Sequence, residues 1–79
     1  MGNWKKTLEK VMDGRADANV SYDDLCHLLI RLGYISRPTG GHNILRMAGR
    51  DFINLQNAGG KAKAYQVRQV REQLQKYQS

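Results

Sequence analysis

The chain has 79 residues, with 13 Lys and Arg against 7 Asp and Glu and a formal net charge of +6. That length allows one domain with a small core, burying roughly 60–65% of the surface its unfolded chain exposes. Its single cysteine, Cys26, excludes an internal disulfide and any zinc site built from several cysteines, and fits a reducing compartment. No apolar run approaches the ~18 residues of a membrane span, and no signal-peptide core is present. Met1-Gly2 begins like an acylation site, but Lys6 stands where that motif requires Ser or Thr. The expected compartment is the cytoplasm.

Trp4, Leu8, Val11 and Met12 recur at helical spacing behind Asn3, a good N-cap, so the pattern predicts a first helix over about 4–12. Residues 13–19 have no period and read as a loop. Ser21-Tyr22-Asp23-Asp24 resembles a capping box, with Ser21 as N-cap and Asp24 reaching back. Tyr22, Leu25, Leu28, Leu29 and Leu32 then form the apolar face of a second helix, and Gly33 suits its C′ position. From Tyr34 the pattern shortens to three strands, 34–39, 42–47 and 52–56, separated by Gly40-Gly41 and by residues 48–51. Pro38 cannot donate to a ladder, which makes the first strand an edge or shortens it. After a loop at 57–60, Val67, Val70, Leu74 and Tyr77 define a last helix over about 64–77, with Arg68, Gln69, Glu72, Gln73 and Lys76 on its polar face. The expected fold is α+β: an α-β-β-β-α unit over 21–79, with an antiparallel sheet covered by helices on one face, preceded by a helix-and-loop extension over 1–20.

Charge is segregated along this order. Residues 1–35 balance five basic against five acidic side chains, whereas residues 36–79 carry eight basic against two acidic. The basic half also holds His42, which follows the glycine pair in Thr39-Gly40-Gly41-His42-Asn43-Ile44-Leu45-Arg46. Gly40-Gly41 reads as a tight hairpin turn whose backbone can approach a ligand closely. Histidine is the side chain that donates or accepts a proton near neutrality. RNA carries its own nucleophile, the 2′-hydroxyl beside each phosphate, so a general base or acid plus cations is sufficient to cleave it. The basic half offers only Asp51 and Glu72 as carboxylates, too few for a two-metal site, and neither metal nor other cofactor is expected. Strand alternation sets His42, Ile44 and Arg46 on one face and Asn43, Leu45 and Met47 on the other, more core-like one.

Other residues stay open between two readings. Lys61 and Lys63 follow Gly59-Gly60 and precede a helix N-terminus, where phosphate contact and plain solvation are equally consistent with the pattern. Walker spacing is absent, which excludes a nucleotide-hydrolysing loop. Arg68 and Arg71 could grip RNA phosphates, meet an acidic protein surface, or form a solvated helix face. His27, flanked by Asp23 and Arg31 at i±4 spacing, reads as a solvated helix residue. Trp4 and Tyr22 fall on apolar faces and read as core anchors, and Cys26 as a small buried apolar residue.

Four segments in this order resemble the HicA family of bacterial toxins: Leu28-Leu29-Ile30-Arg31-Leu32-Gly33-Tyr34, then Gly40-Gly41-His42-Asn43, then Asn54-Leu55-Gln56, and finally Lys61-Ala62-Lys63 with Tyr65 to Arg71. The resemblance covers about residues 21–77. It implies a double-stranded-RNA-binding-domain-like fold, a metal-independent endoribonuclease acting on mRNA, and a HicB-like antitoxin as protein partner. By this resemblance His42 is the catalytic group, and Gly40, Gly41, Asn43, Arg46, Lys61, Lys63, Arg68 and Arg71 contact RNA. Gly41 replaces the family's usual serine and Asn43 its second histidine. Family members differ over which of the two histidine positions is essential, so the resemblance leaves a non-catalytic RNA-binding module as the alternative, with a protein-interaction domain facing an acidic partner as a third.

Overall fold

The Asn3 side chain accepts from the backbone N–H of Lys5 and Lys6 at 3.0 and 3.4 Å, which starts the first helix as its sequence predicts. The computed structural model describes residues 3–77; the acylation reading at Met1-Gly2 lies outside them. Helix α1 runs Trp4–Asp13 and ends at Gly14, which adopts φ +82°. A Cβ there would lie 3.2 Å from a guanidinium nitrogen of Arg71, so glycine serves both the turn and the neighbour. The segment expected to be plain loop contains one 3₁₀ turn, Asp17–Asn19.

Helix α2 is Tyr22–Arg31, with the Ser21 hydroxyl accepting from Asp24 N–H at 3.3 Å. Strands β1 (Ile35–Thr39), β2 (His42–Arg46) and β3 (Ile53–Gln56) form an antiparallel sheet in the order β1-β2-β3, with Pro38 on an edge strand as expected. Gly40 and Gly41, at φ +47° and +82°, close the β1–β2 hairpin with both central residues left-handed, which matches the twist of the flanking strands. Helix α3 is Ala64–Lys76. The molecule is thus an α+β domain of three helices and a three-stranded antiparallel sheet.

One core lies between sheet and helices. Val11, Val20, Leu25, Leu28, Leu29, Leu45, Ile53, Leu55, Val67 and Val70 are at most 1% exposed, and each contributes about 1.5–3 kcal/mol by leaving water. Val11 belongs to α1, so the extension shares the core of the segment that follows it. Trp4 and Tyr22 pack against its rim, and Cys26 is buried, its thiol pushed up by desolvation.

Helix α3 departs from its expected faces at Gln73 and buries a second amide, Gln66. Gln73, read as part of the polar face, is buried; it donates to the Asp51 carbonyl at 2.8 Å and accepts from the Tyr34 hydroxyl. Gln66 is buried against the outer edge of β3, accepting from Gln56 N–H at 3.0 Å and donating to Asn54 C=O at 2.8 Å. A primary amide offers donors and an acceptor together, so it can occupy backbone groups that a fourth strand would otherwise pair with. Among the described residues no helix is long and apolar enough to cross a membrane.

Candidate nucleic-acid interface

Alternation along β2 sorts its side chains between two surfaces. Asn43 and Leu45 face the helices, at 7% and 0% exposure, while His42, Ile44 and Arg46 face away. The strand register extends this sorting into rows: Thr39, His42 and Gln56; Arg37, Ile44 and Asn54; Ile35 and Arg46. Carried one step further, the same register sets Phe52 opposite Arg46. The face so formed carries His42 and two arginines and no acidic residue.

His42 is half-buried, and its Nδ1 lies 3.3 Å from the Asn54 side-chain oxygen. An amide oxygen only accepts, so in the Nδ1–H tautomer this contact is a hydrogen bond to Asn54 and the Nε2 lone pair is left for chemistry. Asn54 is held in turn, because the Gln66 amide clamps the backbone of β3 on both sides of Leu55. The Tyr65 hydroxyl accepts from the same Gln66 amide at 3.3 Å, bringing a 54% exposed aromatic ring to the β3 edge beside Asn54. Sequence reasoning assigned no role to Asn54, Tyr65 or Arg37. The signal available was spacing: once His42 pairs with Gln56, Asn54 is a diagonal neighbour on the same face.

The glycine loops gather at the His42 end of the sheet. Asn57 N–H donates to Gly41 C=O at 3.2 Å, and its side chain accepts from Gly60 N–H at 2.7 Å. Lys61 leaves this loop, and its ammonium donates to the Asn19 side chain at 3.1 Å, which draws it toward the 3₁₀ turn. Lys63 is the exposed N-cap residue of α3. Arg37, Arg46 and Arg68 are exposed, and no ion pair involves any of them among the described residues. Arg68 rides on α3, in the helical layer rather than on the open sheet face.

Two residues expected at the RNA surface are occupied elsewhere. Arg71 donates to both carboxylate oxygens of Asp17, at 2.8 and 3.1 Å, and to Val11 C=O at 3.1 Å. Its side chain is 18% exposed and that of Asp17 13%. Five donors in a planar fork suit this three-way clamp, and they leave little of Arg71 to meet a phosphate. Asn43 accepts from the Ser36 hydroxyl at 2.8 Å and donates to Cys26 Sγ at 3.4 Å. A side chain at position 43 points into the helix-facing layer, away from His42. Asn43→His should therefore lose both bonds and crowd a packed site, lowering stability by about 1–3 kcal/mol in urea unfolding and leaving RNA cleavage no higher.

His27 is exposed on α2, remote in the fold from the open sheet face. Among the described residues no group of three or more His, Cys, Asp or Glu is disposed to hold a metal ion. Compared with protein-family models, with curated proteins and with solved structures, the chain gives no match in any of the three.

Proposed function

We propose that the protein is a HicA-like endoribonuclease, a cytoplasmic toxin that cleaves mRNA without a metal and is silenced by a HicB-like antitoxin. The observation that carries this reading is His42: half-buried at the head of β2, oriented through Nδ1 by Asn54, on a sheet face with cations and no acids. In the reaction the RNA 2′-oxygen attacks the adjacent phosphorus, the bond to the 5′-oxygen breaks, and a 2′,3′-cyclic phosphate and a 5′-hydroxyl result. His42 Nε2 serves one of the two proton transfers, and water the other. Arg37, Arg46 and Lys63 supply positive charge around the phosphates, and Gly40-Gly41 leaves the backbone beside His42 open to them. That position 43 faces the core favours His42 over the family's second position as the reacting group.

The alternative, an RNA-binding module without chemistry, is separated by the products. Incubated with single-stranded RNA, the protein should yield cyclic-phosphate and 5′-hydroxyl ends, should do so in the presence of a chelator, and should spare a strand with deoxyribose at the cleaved position. Binding without such products supports the alternative.

Affinity should follow the cations. Each phosphate contact on a single strand contributes a log–log salt slope of about −0.7, so three to five contacts give roughly −2 to −3.5. Replacing Lys63 with alanine should flatten the slope by about 0.7 and weaken all RNA sequences alike, since phosphate contacts position without specifying, whereas Lys61→Ala, whose ammonium is held by Asn19, should change it less. An affinity indifferent to salt would contradict the assignment of these groups.

A further inference from the structure

The end of the open sheet face opposite His42 carries exposed apolar side chains that the chemistry at His42 leaves unexplained. Ile35 is 72% exposed and Phe52 60%. Together with Arg46, Met47 and Arg50 they line a shallow hollow of about 460 Å³. Arg50 is committed to one wall, donating to the Tyr34 hydroxyl at 3.1 Å and lying 4.5 Å from the centre of the Tyr77 ring. Arg46 is exposed, and no ion pair holds it among the described residues. Asp51, next to Phe52 in the chain, turns to the α3 side, beside Gln69, Glu72 and Lys76. The hollow thus pairs an exposed aromatic ring with an uncommitted guanidinium, on a face without acids.

We propose that this hollow is a base-stacking subsite for single-stranded RNA, with Phe52 as the platform, Ile35 as the flanking wall and Arg46 on the neighbouring phosphate. The inference rests on the nuclease reading, since it is His42 that fixes the other end of the same strand. From His42 to Arg46 is four residues of β2, about 13 Å at the usual strand rise, so one RNA segment laid along β2 meets both. Between them stand Arg37, Ile44 and Asn54, a guanidinium, an apolar contact and an amide that suit backbone and base. Exposed sheet aromatics that stack unpaired bases are a general device of RNA-binding sheets, and such stacking tolerates any base because every base has a π-face. Charge complementarity selects the polyanion over an apolar peptide: the face offers cations on both sides of the apolar patch and no carboxylate to repel phosphate.

Binding is measured with the His42→Ala protein, so that RNA survives, using a short single-stranded oligoribonucleotide and versions of it with one abasic position. Phe52→Ala in that background should weaken the intact strand about 5- to 100-fold, the loss expected for one stacked base. Phe52→Tyr should restore most of it. One abasic strand should bind the parent protein as weakly as the intact strand binds the Phe52→Ala variant, and combining the two changes should cost little more. Salt-dependent RNA binding that Phe52→Ala leaves unchanged overturns the platform and spares the nuclease reading. Absence of RNA binding by the parent protein overturns both. Sedimentation of the same proteins without RNA adds a further outcome: a dimer dissociated by Phe52→Ala, with RNA affinity unaltered, identifies the patch as a contact between copies and overturns the subsite.

Discussion

Replacing His42 with alanine should lower RNA cleavage by about 10²- to 10⁴-fold, the range a positioned general acid or base supplies. The fold should be unaffected, because the residue is half-buried and the hydrogen bond of its ring among the described residues is to Asn54. Cleavage of a labelled RNA and growth arrest on induction should fall together, while RNA affinity at moderate salt stays within a few-fold. Asn54→Ala should give a smaller loss, expressed in the rate and not in binding, since it frees the imidazole to rotate without removing it. Undiminished cleavage by a folded His42→Ala protein would remove His42 from the chemistry. Equal inactivity of both proteins, with RNA binding retained, would leave the non-catalytic module as the reading.

The second large effect concerns stability. Arg71→Met should destabilise the protein by about 2–3 kcal/mol, because it strands the Asp17 carboxylate, 13% exposed, without its partner; fully buried pairs lose about 3–5 kcal/mol on such a change. For a chain of this size that lowers the melting temperature by roughly 10–20 °C. Adding Asp17→Asn should recover part of the loss, since the stranded charge goes with it. The salt slope of RNA binding, measured well below the melting temperature, should not change. A variant within about 0.5 kcal/mol of the parent, as for an ordinary surface substitution, together with a flatter slope, would return Arg71 to the RNA surface. The clamp also ties α3 to α1 and to the 3₁₀ turn, so the same variant should open the amino-terminal extension first in hydrogen exchange.

By itself the sequence determined the helices and strands and, Gln73 of α3 apart, the faces assigned to them. The helical spacing of Leu25, Leu28 and Leu29, the caps at Asn3 and Ser21, and the glycine pair at 40–41 are local signals, set by contacts within a few residues, and each element stands within about a residue or two of where its pattern put it. The alternation that turns His42 outward and Leu45 inward is local in the same sense, since the period of a strand is two. Tertiary structure decided which polar side chains are free. Arg71 and Arg68 lie on one helix and look alike in sequence, yet Arg71 meets Asp17 from 54 positions away while Arg68 stays exposed. Gln73 reads as solvated until Tyr34 and Asp51 arrive beside it, and the clamp of Gln66 on β3 has no signal in its neighbours. Asn43 reads as a neighbour of His42 until Ser36 and Cys26 claim its amide. Asn54 becomes the partner of His42 through the register of two strands. Such pairings depend on which segments the core brings together, and hydrogen bonds between segments far apart in the chain leave no periodicity for a sequence to display.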